Sequence, residues 1–147
     1  MPTLEIDISV RSLTSAEVES ICPRFADVQE RTDRLTQDVD RRSPLLNGAL
    51  RGTMVHSLLK SEIQSLDDPT YRAEISYLKS IEETYGTAGS VRVDVLEKTN
   101  EKTICVYDVK TGKRGLTIAR TIEIAKEVHT AFGGVSSVIV TEVRPRR

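Results

Sequence analysis

Two alternating runs of apolar residues around a short polar turn constrain this chain more than any other feature. Val91, Val93 and Val95 alternate with Arg92, Asp94 and Leu96, and a second run extends from Thr103 to Tyr107 beyond Lys98-Thr99-Asn100-Glu101. A period of two marks a strand with one face buried, and two such runs on either side of a polar turn predict an antiparallel hairpin. At 147 residues the chain is the size of one ordinary domain, long enough to bury a core without covalent staples.

The flanking segments predict what surrounds the hairpin. From Thr53, apolar residues at Val55, Leu58, Leu59, Ile63 and Leu66 follow helical spacing. Glu62 falls inside that stripe and His56 at its edge, and Asp67-Asp68-Pro69 ends the helix. Tyr71, Ala73, Ile75 and Tyr77 alternate with Arg72, Glu74 and Ser76 as a further strand, followed by a loop framed by Gly86 and Gly89. After the hairpin come a basic loop, Thr111 to Gly115, and a helix from Thr117 with Ile118, Ile122, Ala125, Val128 and Phe132 on one face. Gly133-Gly134 stops that helix, and Ser137 to Val143 is a last strand. The predicted order is α-β-β-β-α-β: an α/β (α+β) fold with a mixed sheet flanked by helices.

Residues 1–50 read as a mostly helical N-terminal extension to a core over 51–147. Leu4 to Val10 alternates as a short strand or arm, Ser15 opens a helix, and Pro23 interrupts it. Ala26 to Arg42 predicts a polar helix with one narrow stripe, Val28, Leu35 and Val39, before the break at Ser43-Pro44.

Composition removes several classes of function. No apolar stretch approaches the ~18–20 residues of a membrane span. The start, MPTLEIDIS, lacks a charged segment followed by an apolar one, so no secretory signal is expected. Cys22 and Cys105 are the only cysteines; they predict neither a disulfide framework nor a four-cysteine zinc site, and Cys105 reads as a small buried residue. Aromatic residues are 4% of the chain, too few for an extended base-stacking platform. The net charge of −1 conceals a gradient, from −3 over residues 1–50 and −2 over 51–100 to +4 over 101–147. A near-neutral total therefore does not exclude nucleic acid, although it predicts weak binding without a metal ion.

The chemistry concentrates on the hairpin. Asp94 lies on its first strand and Asp108 closes its second, with Lys110 two residues on and therefore on the same face. Facing carboxylates repel unless a cation separates them; Mg²⁺ suits such hard oxygen ligands and bridges readily to phosphate. A lysine beside the pair can hold a phosphate oxygen or orient an attacking water. The alternative for Asp-Val-Lys taken alone is an exposed ion pair at a strand end.

Asp94 and Asp108-Val109-Lys110, preceded by a helix and followed by α-β, resemble the PD-(D/E)xK nuclease core over roughly residues 50–145. Gly-Ser-Val-Arg-Val-Asp (89–94) and Val-Tyr-Asp-Val-Lys-Thr-Gly (106–112) are similar to nuclease domains of bacterial polymorphic toxins, as are Ala73 to Tyr77, Tyr85-Gly86-Thr87 and Glu142 to Pro145. The departure is Val93, where the motif's name places proline. The resemblance implies a restriction-endonuclease-like fold and Mg²⁺-dependent phosphodiester hydrolysis, with Mn²⁺ able to substitute. It further implies a DNase effector acting in the cytoplasm of a competitor cell, delivered by a route that needs no signal peptide, and a cognate immunity protein. Asp94 and Asp108 would hold the metal and Lys110 would act at the water or the phosphate. An RNase cutting structured RNA such as tRNA, or a catalytically idle binding module, are the alternatives on the same fold.

The remaining ligand is open between three residues. Gly52-x-x-x-His56 resembles a motif in which the histidine joins the metal site, against a helix-edge histidine with a satisfied hydrogen bond. Glu74 belongs to the toxin-like block and shares a predicted strand face with Arg72 and Ser76, as a catalytic or a merely solvated residue. Glu62 is either a helical metal ligand or a residue where the apolar stripe frays. Lys113, Arg114 and Arg120 follow the catalytic strand and are candidates to grip flanking phosphates.

Overall fold

The computed structural model describes residues 13–78, 81–133 and 135–146; the strand expected over Leu4 to Val10 lies outside them. Among the described residues the elements run α1 (Ser15–Ile21), α2 (Phe25–Arg42), α3 (Gly48–Ser65), β1 (Tyr71–Leu78), β2 (Ile81–Glu83), β3 (Val91–Lys98), β4 (Thr103–Val109), α4 (Ile118–Ala131) and β5 (Ser137–Val143). The order expected from residue 51 is present, with β2 added. That strand was not anticipated: its three residues are all exposed, so no burial pattern announces it.

Local capping sets the helix starts. The Thr14 hydroxyl accepts from the Glu17 N–H and the Glu17 carboxylate accepts from the Thr14 N–H, a capping box one residue before the expected start. Asn47 accepts from the Leu50 N–H at 2.9 Å, so α3 begins five residues before Thr53 despite the poor propensity of Gly48 and Gly52. In α4 the buried residues are Ile124 and Val128, whereas Ile118 is 77% exposed. Ile118, Ile122, Ile124 and Ala125 offer two overlapping stripes, and contact with the sheet selects the one continued by Ala131 and Phe132.

The sheet has strand order β2-β1-β3-β4-β5. β1, β3 and β4 form an antiparallel meander, while β4 and β5 are parallel and joined by the α4 crossover. One face carries a core of α1, α2 and α3 residues on Tyr71, Val95, Cys105, Tyr107, Val109 and Val143. The other carries Ile124 and Val128 of α4 on Ile75, Val93, Leu96, Ile104 and Val106.

From Leu13 on, the predicted extension shares its core with the rest of the chain. Val18, Cys22, Phe25, Val28, Leu35 and Val39 join the same apolar cluster as α3 and the sheet. Polar bonds fasten the same face: Tyr71 donates to Asp27 at 2.9 Å, Tyr107 to Glu97 at 2.6 Å, and the Arg24 N–H to Glu97 at 3.2 Å. Cys22 and Cys105, from which no disulfide framework was expected, form a disulfide. Cys105 is fully buried as expected, but a single pair 83 residues apart leaves no spacing pattern from which to read the bond.

Closing a loop of this length removes ~4–5 kcal/mol of unfolded-state entropy in the chain-entropy model, and typical disulfides deliver ~2–4 kcal/mol. A Cys22→Ala/Cys105→Ala variant is therefore expected to lose about 2–4 kcal/mol of stability in urea unfolding. A midpoint equal to that of the oxidised wild type would show that the bond does not fasten α1 to β4.

Candidate active site

A regular strand keeps residues two apart on one face, and neither β1 nor β3 does. Tyr71 and Ala73 pack with α1–α3, but Ile75 and Tyr77 pack with α4. On β3, Val91 and Val93 lie on the α4 side and Val95 on the other. Both strands change face at one row: Ala73 pairs with Val95 and Ile75 with Val93, leaving Glu74 and Asp94 between them. Glu74 has φ +52°, a left-handed conformation unusual for a side-chain-bearing residue. It therefore does not share a regular face with Arg72 and Ser76, as simple alternation predicts. Arg72 turns instead to Glu82, with two 2.8 Å contacts, and buried Ser76 accepts from the Gly86 N–H at 3.0 Å.

At the same row β3 parts from β4. Their ladder ends at Val95 and Tyr107, so the next positions, Asp94 and Asp108, stand where the two strands diverge. The Val109 N–H donates to Asp94 Oδ2 at 2.8 Å, replacing a ladder bond with a bond to the carboxylate. Lys110 Nζ lies 3.1 Å from Asp108 Oδ2; that oxygen is buried and has no geometrically satisfactory hydrogen bond. His56 Nδ1 lies 3.7 Å from Asp94 Oδ1, within ion-pair reach when the imidazole is protonated. Lys60 Nζ lies 3.1 Å from Glu74 Oε2.

These groups line one cleft of about 790 Å³. Its α3 wall carries Gly52, His56 and Lys60 at helical spacing, and Lys113, Arg114 and Arg120 line it as well. Gly52 permits the close approach of α3, because a Cβ there would lie 2.7 Å from Thr111 Oγ1. The structure thus brings together Asp94, Asp108, Lys110, Glu74 and His56 with the three proposed phosphate contacts. Arg120 also pairs with Glu123 at 3.1 Å. Glu62 is not part of this site: it binds Arg31 and Arg34 of α2, which hold its carboxyl below the usual range. Its place in the α3 stripe reflects contact with another helix, so the helical-ligand expectation is not met there.

Lys60, Tyr85 and Arg92 are among the cleft residues that had no predicted role in the site. Lys60 stands one turn beyond His56, which is the signal that could have found it. Tyr85 and Arg92 reach the cleft because of the loop and the face change, neither of which periodicity reveals.

Burial raises the Asp94 pKa. His56 pulls it down, Asp108 pushes it up, and the Val109 N–H and Lys110 pull it down, with a net rise. Among the described residues no group of three or more His, Cys, Asp or Glu side chains is arranged to hold a metal ion. Mg²⁺ asks for less, taking one or two carboxylates together with water and substrate phosphate. Asp108 Oδ2 is buried with no hydrogen-bond partner and has Lys110 beside it, and Asp94 Oδ1 lies 3.7 Å from His56 in the same cleft. That donor set fits a hard divalent cation.

Glu74→Gly is expected to be more stable than Glu74→Ala by about 1 kcal/mol, since only glycine adopts positive φ without cost; equal urea midpoints would remove the claim of local strain. A carboxyl with a raised folded pKa binds its proton more tightly folded than unfolded. Its stability contribution is present below the ordinary carboxylate range and lost as pH rises through the folded value. Asp94→Asn, which keeps an acceptor for the Val109 N–H, should therefore be more stable than wild type at neutral pH and lose that advantage in acid. A variant less stable at neutral pH would contradict this. No family model, curated protein or solved structure matches the chain.

Proposed function

We propose that this chain is a divalent-metal-dependent nuclease on a restriction-endonuclease-like core of the PD-(D/E)xK type, with DNA as its first substrate. The observation that carries the reading is the placing of Asp94 and Asp108 where β3 and β4 diverge, with Lys110 3.1 Å from Asp108 in the same cleft. The order α3, β1, β3, β4, α4, β5 supports it, because it reproduces the arrangement that the motif's resemblance implies.

Asp94 and Asp108 hold Mg²⁺ in this reading, and Mn²⁺ can substitute. When bound, the ion supplies a water of lowered pKa and neutralises charge on the phosphate. Lys110 holds the non-bridging phosphate oxygen or orients the water, and its pairing with Asp108 fixes where its ammonium sits. His56 sets the charge at Asp94, and Lys60 restrains Glu74. Lys113, Arg114 and Arg120 contact the phosphates flanking the scissile bond. The role of a bacterial effector, and an immunity protein to restrain it, rest on the resemblance of the sequence blocks.

Incubation with plasmid and Mg²⁺ should give cleavage that EDTA abolishes. Asp108→Ala should reduce it to background, and Lys110→Ala should lower it ~10²–10⁴-fold, the usual reach of one group in proton transfer. Cleavage that survives Asp108→Ala would overturn the site. Total RNA run beside the plasmid separates a DNase from an RNase, and neither cut would leave the binding module as the better account.

A further inference from the structure

The chain holds six aromatic residues. Phe25, Tyr71, Tyr77 and Tyr107 are buried, and Phe132 packs against the α4-side core. Tyr85 is the exception: it is 38% exposed and lines the cleft beside Glu74, Arg92 and Asp94. Its place is set by its loop. The Gly86 N–H donates to Ser76 Oγ at 3.0 Å, and Ser76 is itself fully buried in β1. The Thr87 N–H donates to the Thr84 carbonyl at 3.1 Å, and Gly86 and Gly89 take the positive φ values that the turn needs.

The cleft carries both signs of charge. Lys113, Arg114 and Arg120 belong to the segment after β4. Tyr85 stands near Asp94 and Glu74; burial first, and then their charges, push its phenol up to about 12. Glu74 and Asp94 are balanced there by Lys60 and Arg92, so that part of the cleft holds no cationic excess to draw a phosphate, whereas an uncharged nucleobase needs none. We propose that Tyr85 is a stacking surface for one unpaired base next to the phosphate in the cleft, so that the site takes single-stranded or locally opened nucleic acid in preference to intact duplex. This rests on the nuclease reading and names its substrate class. In an intact duplex both faces of each base are covered by neighbours, whereas an unpaired base offers a π-face whatever its sequence. One ring serves one base, in keeping with an aromatic content too low for an extended platform.

The test is fluorescence anisotropy with the full chain in EDTA at low salt. The probes are a short labelled oligodeoxynucleotide, the oligoribonucleotide of the same sequence, and the deoxy strand paired with its complement. Wild type should bind at least one unpaired strand more tightly than the duplex, and the two strands distinguish DNA from RNA as the source of the base. Tyr85→Ala, shown to be folded by its unchanged urea midpoint, should weaken unpaired binding roughly tenfold or more and leave duplex binding unaltered. Tyr85→Phe should retain the preference. Equal or tighter duplex binding by wild type, no binding to either unpaired strand, or unpaired binding unchanged in Tyr85→Ala overturns the inference. Mg²⁺-dependent cleavage persisting beside such a result would refute the stacking and spare the nuclease reading; cleavage of no nucleic acid would remove both.

Discussion

Burial of the Asp94 carboxylate, with Asp108 adding repulsion, is the constraint around which the cleft is organised. Two carboxylates in a half-desolvated cleft oppose folding unless something favours their ionised forms. Here the Val109 N–H, His56 and Lys110 each offset part of that cost. Burial outweighs them, with repulsion from Asp108 added, and the Asp94 pKa is raised. In the proposed reading, a divalent cation would favour the ionised forms of both carboxylates.

The backbone accommodates this arrangement locally. β1 and β3 change face at the Glu74–Asp94 row, Glu74 takes a positive φ, and the β3–β4 ladder stops one residue short of the two aspartates. The rest of the molecule makes the distortion tolerable. Apolar cores on both faces, the disulfide from α1 to β4, and the tyrosine–carboxylate bonds at Asp27 and Glu97 hold the strands on either side. The N-terminal helices are therefore part of what supports the cleft.

Much of this was legible in the residues. The hairpin, the flanking helices and the place of Asp94, Asp108 and Lys110 follow from periodicity, because long-range packing here agrees with local pattern. What escaped reading depends on tertiary contact. Glu62 sits in an apolar stripe because α2 presents Arg31 and Arg34 to it, and α4 buries Ile124 rather than Ile118 because of where the sheet meets it. The break in alternation at Glu74 has no local signal such as glycine or proline, so regular pleating was the only available expectation.

The account stands on the two aspartates acting as a cation site. Titration of Mn²⁺ into the full chain, followed by calorimetry, measures this without any substrate. The account predicts saturable binding that is lost in Asp108→Asn, with the fold intact by its unfolding midpoint. No binding to wild type, or binding unchanged in Asp108→Asn, would contradict it.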